Sequence, residues 1–562
     1  MNPSTSPEAP GALDDALRAF ARQLTDAAAA LYPQAPPPSV AFEAPRRPEF
    51  GDFATNAAFA LAKPARRAPQ EIATALVAEI ARRAPELSQT FSAIEPLAGF
   101  INLRVATPLW HAALAQIRSE GDAFGGRPSN GIRVSLEFGS ANPTGPLVVV
   151  QGRSMSIGAT LANAMRLRGY DVFVEWIIND AGGQLDSLGR SVYARYRQLF
   201  DPAYPLPENG YPGEYLVPIA QEIQRRDGDR WVAAAEEAWL PYFSQAGRDD
   251  LVAQQRRTAE RFGVKYDKWQ SERELHESGK VREGIERLRE LGLTYESEGA
   301  LFFRATQFGD DKDRVLLRSD GRPTYFCMDV AYHYQKLKQS DRVVDILGPD
   351  HHGYIERLRG MASALGYPGR LEVHIAQQVA LMRGGEQIGM SKRSGEIVAL
   401  DEIIDEVGVD AARFFFIALA TESPLTFDLK LAVEKESENP VYYVQYGHAR
   451  IASVLKRALA EDVEAARSAS LGALVDPAEI ALVRRLSEFP RVVAGIVEHL
   501  APHRLARYAR DVASEFHQFY TECKILAEDR DVRLARLALC VASKSVLAHA
   551  LALAGVTAPD SM

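Results

Sequence analysis

The sequence predicts a three-part α/β protein, with a parallel-sheet domain in the middle, a small α/β domain before it and an all-α helix bundle after it. Three observations carry this reading. Strand, amphipathic helix and strand follow one another from Arg133 to Ile178 at the spacing of a parallel βαβ unit. In the first 120 residues apolar side chains recur at helical spacing, and one strand-like stretch, GFINLRV, closes the pattern. After Asp401 almost everything reads as helix rich in Ala, Leu and Arg. A chain of 562 residues, 46% hydrophobic, is long enough for several cores.

Taken in order, residues 1–120 hold the helical patterns LDDALRAFARQLTDAAAALY and EIATALVAEIARRA. The opening MNPSTSPEAPGALDDAL lacks the basic-then-apolar order of a leader and reads as a frayed, cytoplasmic start. GDAFGGRPSNG (121–131) is a Gly-rich linker. The sheet domain, expected over 128–410, begins with IRVSLEFGS, turns through ANPTGPL, continues as the helix SMSIGATLANAMRLRG and returns as the strand DVFVEWII. Pro-rich residues from Asp201 to Gly213 open a charged helical stretch, an expected insertion near 200–290. Strand-like pieces come back at ALFFRAT, RVLLR, TYFCMDV, VVDILG and LEVHIAQQVAL. The bundle is expected over 411–562, and no internal repeat argues for a solenoid.

Composition narrows the function. The longest apolar stretches are alanine-rich, short and broken by charge, below the ~20 residues of a bilayer span, so no membrane role is expected. Cys327, Cys523 and Cys540 are odd in number and far apart, which argues against a disulfide framework and a structural zinc site. A net charge of −9 offers nucleic acid no whole-protein attraction, so any RNA would have to find local basic patches.

Two motifs carry chemistry. The strand that ends in ANPTGPL opens a helix whose free N–H groups and positive dipole end suit a phosphate or carboxylate. The loop GMSKRSGEIV (389–398) sets Lys392 and Arg393 among small residues, as a mobile clamp on the phosphates of ATP would require. Each alone is equally an ordinary connector or surface turn. Together with INDAG, FGDDKDRVL, GPDHHGY and ENPVYYVQYGHARI, in that order, they are specific: the chain resembles the class I arginyl-tRNA synthetases. The resemblance runs from PEFGDFATNAAFALAK to GVTAPDSM, nearly the whole chain.

That resemblance implies a Rossmann-like class I synthetase catalytic domain, an N-terminal tRNA-binding domain and a helical anticodon-binding domain. It implies an arginine–tRNA ligase that makes arginyl-adenylate from L-arginine and Mg-ATP and esterifies tRNA(Arg), with activation dependent on bound tRNA. Mg2+ enters with ATP, no protein-bound metal is expected, and the protein is expected to be a monomer. By the same carry-over Glu137, Asn142, Tyr325 and Asp329 hold arginine; a planar guanidinium suits carboxylate acceptors and an aromatic face. Gly145, Pro146, Val148, Val150, Gly348, Asp350, His351, Met390 and Lys392 line the ATP site, with Ser391 and Lys392 steadying phosphates and Gln151 and Arg153 as helpers. Asn179, Asp180 and Gln184 face the substrate amine or the RNA end. Tyr443, Tyr446 and Met562 match positions that pack on anticodon-loop bases, where each base stack contributes ~1–3 kcal/mol.

The family pattern fails at one place. After ANPTGPL, members continue His-x-Gly-His, whereas here Val148, Val149, Val150 and Gln151 precede Gly152 and Arg153. Both imidazole donors are gone, and Val150 stands where a glycine would let adenine lie flat. Gly389 also replaces the first lysine of the KMSKS loop. Losing one preorganised donor costs ~10²–10³ in rate, small against accelerations of ~10⁶–10¹⁷. The expectation is therefore a working, divergent ligase; the alternative is a catalytically impaired paralogue that acts as a tRNA-binding protein.

Overall fold

The computed structural model describes residues 11–45, 47–180, 182–388 and 398–562. The first ten residues, read as frayed, and the loop holding Met390, Ser391 and Lys392 lie outside the described residues.

The N-terminal part packs helices on a three-stranded antiparallel sheet of β1 (Phe53–Thr55), β2 (Phe91–Leu97) and β3 (Phe100–Val105), in the order β1-β3-β2. Its first helix, α1 (Ala12–Leu31), buries Leu13, Leu17, Phe20 and Leu24, a single stripe at the helical period. Helix α2 (Thr107–Glu120) leads out of this part and buries Trp110, Leu114 and Ile117.

The central sheet is fully parallel. Its strands are β4 (Arg133–Phe138), β5 (Asp171–Ile178), β6 (Lys268–Ser271) and, after a small antiparallel sheet of β7 (Thr294–Ser297), β8 (Ala300–Phe303) and β9 (Arg314–Leu317), β10 (Arg342–Leu347) and β11 (Leu371–Ile375). The order β11-β10-β4-β5-β6 means the chain moves outward from β4 and then returns to the other side of it. Between β4 and β10 the winding therefore reverses, and the crevice at their carboxyl ends is where an open α/β sheet binds ligands. Helix α3 (Val149–Leu167) follows β4 and is buried along most of its length, because Gly158 lets it settle on Phe138: a Cβ there would stand 2.1 Å from the ring.

Three elements differ from the sequence expectation. The inserted helices α4 (Gln184–Gln198) and α5 (Glu236–Arg261) form their own core around Leu188, Val192, Tyr196 and Phe243, but the insertion ends before β6. KWQS is too short and polar to announce a strand; pairing with β5 makes it one, and Trp269 stacks on Trp176 with centroids 4.5 Å apart. TYFCMDV is not a strand but the start of helix α6 (Tyr325–Gln339), because the Thr324 hydroxyl accepts the Cys327 N–H at 3.3 Å and caps it. LEVHIAQQVAL splits into β11 and β12 (Val379–Arg383), and β12 joins a separate sheet with β13 (Glu386–Gln387) and β14 (Leu425–Asp428).

The expected boundary at 410 falls inside helix α7 (Leu400–Phe416), which bends at Gly408 (φ 81°, ψ 161°). β14 lies beyond that boundary and yet pairs with β12. The helical tail proper holds α8 (Pro440–Arg457), α9 (Pro477–Ser487), α10 (His503–Glu522) and α11 (Arg530–Ala554). By length and composition α11 could cross a membrane, contrary to the expectation that no apolar stretch reaches that size; its apolar window is mostly buried among the other helices. The three cysteines are free and buried.

Candidate active site

Three strands, β4, β5 and β10, and two helices, α3 and α6, carry the candidate residues. β4 delivers Glu137 and then turns at Gly139, whose φ of +77° and close approach to Met155 and Tyr266 leave no room for a side chain. Ser140 Oγ donates to Glu137 Oε1 (3.1 Å) and accepts the Ile177 N–H (3.1 Å), tying the turn to β5. Asn142 is exposed, and its Oδ1 accepts Asn179 Nδ2 (2.9 Å), so its own amide N–H₂ is turned outward. The insertion braces this loop: buried Gln255 donates to the carbonyls of Asn142 (3.0 Å) and Gly145 (2.9 Å), and Tyr215 donates its hydroxyl to Thr144 O (2.7 Å). Gly145 and Pro146 are half-buried behind these contacts.

The acidic wall lies below. Glu137, 4% exposed, accepts Lys336 Nζ at 2.9 Å through Oε2. The carboxylate of Asp329, partly buried on α6, accepts no hydrogen bond from the described residues. Burial pushes its carboxyl up to about 6, with Glu137 and Asp345 adding to the rise and His333 and Arg357 opposing it. Tyr325 stands one helical turn earlier on the same face and is 63% exposed, its hydroxyl beside Gly182. Glu137 thus acts on Asp329 through its charge, Tyr325 reaches the turn after β5, and Asn142 bonds Asn179 just ahead of that turn: an unpaired carboxylate, an open aromatic face and an outward amide.

At the start of α3, Val148 caps the helix and forms an isolated bridge with Ala399. A valine offers no acceptor, so only half of a capping box exists: Gln151 Oε1 accepts the Val148 N–H at 3.2 Å. That bond fixes the amide and leaves its N–H₂ without a partner among the described residues. Val149 is buried, and Val150 is half-buried against the main core. Past β10, Gly348 precedes a short turn, Pro349–Tyr354, that carries an exposed Asp350. The side chain of His351 lies outside the described residues.

Two expected roles are corrected. Arg153 is fully buried, and its guanidinium donates to the carbonyls of Gln377 (3.0 Å), Gln378 (3.4 Å) and Ala420 (2.9 Å), which ties α3 to the start of β12. Burial lowers its pKa to about 10, still far above neutrality. Such a group cannot reach a phosphate. Replacing it in Arg153→Met strands three carbonyls, each costing ~1–3 kcal/mol when buried without a donor. The expected result is a clear fall in the urea midpoint with the KM for ATP within threefold; the reverse pattern would return the guanidinium to the phosphates. Asp180 is likewise a buttress, accepting from Ser271 Oγ (2.8 Å), Arg273 N (3.1 Å) and Arg248 (2.5 Å). Asn179 stays at the crevice, its carbonyl held by Gln184 (3.0 Å).

Far from the crevice, Tyr443 and Tyr446 both lie against His517, with centroids 5.1 and 6.0 Å away, so they share one side of α8. Tyr443 lines a groove of 550 Å³ with Arg507 and Arg510, which make no ion pair among the described residues. Arg450 covers Tyr446 at 4.7 Å. The C-terminal tail is pinned across α8, where Gln445 donates to Thr557 O (3.0 Å) and His448 meets Pro559 O (2.8 Å), and this leaves Met562 exposed.

Sequence reasoning missed Lys336, His333, Asp345, Gln255 and Tyr215. The first two had a signal: they follow Asp329 at i+4 and i+7, one helical face, which a strand reading of TYFCMDV hides. Gln255 and Tyr215 had none, because each acts across more than 70 residues of chain.

Comparison with known proteins places this crevice in context. Residues 15–105 match the family description "Arginyl tRNA synthetase N terminal domain", 241–417 match "tRNA synthetases class I (R), catalytic domain", and 444–562 match "DALR anticodon binding domain". The arginine–tRNA ligase of Moorella thermoacetica is 44% identical over 560 residues, 97% of this chain and 99% of that protein. That of Heliobacterium modesticaldum is 43% identical, over 94% of each. The solved Thermus thermophilus arginyl-tRNA synthetase shares the fold, with a TM-score of 0.77 at 22% identity over 97% of this chain and 100% of that one.

Proposed function

Because the chain belongs to the arginyl-tRNA synthetase family, we propose a residue-level account of how it works as an arginine–tRNA ligase. It is a class I aminoacyl-tRNA synthetase, with tRNA and arginine as its partners. In the activation step an arginine carboxylate oxygen attacks the α-phosphorus of Mg-ATP and displaces pyrophosphate. In the transfer step a hydroxyl of the terminal ribose attacks the adenylate carbonyl and releases AMP.

Asp329 and Glu137 take the guanidinium, Tyr325 stacks on it, and the outward amide of Asn142 donates to the substrate carboxylate. Carrying this assignment is the Asp329 carboxylate, poor in solvent and without a donor of its own. A group in that state binds a five-donor cation better than water would. Gln151 donates its free amide N–H₂ to a phosphate oxygen, and the N–H groups at the start of α3 add to it, which replaces only part of what two imidazoles would supply. Gly348 and Asp350 meet the adenosine, while Ser391 and Lys392 steady the phosphates. Residues 1–120 bind the tRNA elbow, and Tyr443, Tyr446 and Met562 stack on the anticodon loop. Activation depends on bound tRNA, Mg2+ comes with ATP, and the enzyme works as a cytoplasmic monomer.

The test is arginine-dependent pyrophosphate exchange with and without tRNA, then aminoacylation of total tRNA across pH. Exchange is expected only with tRNA present; no exchange in either case would remove the account. The pH dependence follows from Asp329. Its carboxyl, raised to about 6, is charged above that pH and protonated below it, and only the charged form pairs with a guanidinium. KM for arginine is therefore expected to be flat above about pH 7 and to rise up to tenfold per unit below about 6, with KM for ATP unaffected by this group. An arginine KM flat down to pH 5 would remove Asp329 from the pocket.

A further inference from the structure

Beneath the crevice three carboxylates stand in one row. Asp345 on β10, Glu137 on β4 and Glu175 on β5 are register partners across adjacent parallel strands. Side chains so placed are about 5 Å apart, close enough for like charges to repel strongly out of water. All three are buried. Helix α6 brings two cations onto the row from the face that also carries Asp329. Lys336 Nζ lies 2.9 Å from Glu137 Oε2 and 2.5 Å from Asp345 Oδ1, and 4.7 Å from the centre of the Tyr332 ring. His333 Nε2 lies 2.8 Å from Asp345 Oδ2, and its Nδ1 lies 2.7 Å from the backbone oxygen of Asp329. Both nitrogens of that ring face acceptors, so both must carry hydrogen and the ring is an imidazolium.

The charge states agree with this geometry. Burial opposes charge on His333 and Lys336, and the carboxylates overcome it: Asp345 raises the imidazole, while Asp345, Glu137 and Glu175 hold the ammonium above its usual range. Burial pushes Glu175 up toward its neutral form, with Lys336 opposing. Glu175 accepts Ser135, Glu137 accepts Lys336, and Asp345 accepts both Lys336 and His333, so of these carboxylates only that of Asp329 has no donor among the described residues.

We propose that Lys336 and His333 are positioning residues for arginine recognition: the ammonium locks Glu137 in its rotamer, the imidazolium locks the helical turn that carries Asp329, and Asp345 holds the two together. Neither touches the substrate. Their effect is to engage Glu137 and Asp345 and to hold the Asp329 carboxylate open for the incoming cation. This rests on the assignment of Glu137 and Asp329 to the guanidinium.

The test compares Lys336→Met, Lys336→Arg, His333→Gln and Asp329→Asn in the full-length enzyme by aminoacylation, with arginine titrated from pH 5 to 8.5. Lys336→Met is expected to raise the arginine KM at least tenfold at pH 7.5, with kcat and the KM for ATP and tRNA within threefold. It should also move the acid limb of the KM profile upward by half a unit or more, since Glu137 and Asp345, which raise the Asp329 carboxyl, lose the ammonium that offsets them. The charges that act on Asp329 are His333, Glu137, Asp345 and Arg357, all retained in this variant. Lys336→Arg keeps the charge and should leave the limb where it is in the unaltered enzyme. His333→Gln can donate to Asp345 or to Asp329 O but not to both, and should raise the arginine KM three- to tenfold; it carries the test if Lys336→Met fails to fold. An unmoved limb, or all constants changing together, overturns the proposal. If Asp329→Asn raises the arginine KM and the Lys336 and His333 variants do not, only this inference falls; if Asp329→Asn changes nothing, the pocket assignment falls with it.

Discussion

Asp329→Asn is expected to raise the KM for arginine by roughly 10²–10³ while leaving the KM for ATP within threefold. Removing one member of a desolvated, hydrogen-bonded charge pair costs ~2–5 kcal/mol. Asparagine matches aspartate in shape, so the change isolates charge. In the free enzyme this carboxylate carries no internal partner among the described residues, so its loss strands nothing in the protein. The contrast with Glu137 is instructive. Glu137→Gln would remove the charge beside Lys336 and put an N–H₂ where either Lys336 or Ser140 now finds an acceptor, and its effect would mix folding with binding. A steady-state titration of arginine at pH 7.5, checked by urea unfolding, separates the two. An Asp329→Asn enzyme with unaltered arginine KM would mean that the guanidinium binds elsewhere.

The second large effect concerns the rewritten turn. The triple variant Val148→His, Val150→Gly, Gln151→His is expected to increase the rate of adenylate formation by about 10²-fold. One preorganised transition-state donor is worth ~10²–10³, and two together give less than the product. Val148 presents no donor, and Val150 adds bulk beside the helix start, so two of the three changes supply what the native turn lacks. The third replaces a donor that is already there: Gln151 has its oxygen on Val148 N and its amide N–H₂ free. The gain should therefore come from positions 148 and 150, and Gln151→His alone should change the rate by less than tenfold. Single-turnover pyrophosphate exchange with saturating tRNA measures this. No gain in the triple variant would mean that the amide of Gln151 and the N–H groups of α3 already do the work of the imidazoles.

Much of the architecture was legible because it depends on local pattern. β4, α3 and β5 declare themselves by alternating and helical periodicity, and the turn after β4 by its glycine and prolines. β6 was not legible, since its four residues become a strand only against β5. Helix α6 was misread because an aromatic, β-branched start looks extended until Thr324 caps it. The same misreading hid His333 and Lys336, whose helical spacing from Asp329 is meaningful only on a helix. Residues at the crevice were named from motifs, but what each is bonded to was beyond their reach: Arg153 and Asp180, plausible as substrate ligands, are occupied by carbonyls and by Arg248.

By itself the sequence determined which residues could meet a planar cation, a phosphate and an RNA base, and the run of β4, α3 and β5 that opens the sheet. It also determined that residues 148–151 carry no imidazole. Tertiary structure alone decided which of those polar groups are free and which are already satisfied. That division follows from range: periodicity and capping act within a few residues, whereas the partner of a buried charge is chosen by strands and helices that meet across hundreds of residues. Asp329 is left open and Glu137 is held by Lys336 for that reason, and no local reading of either segment distinguishes the two carboxylates.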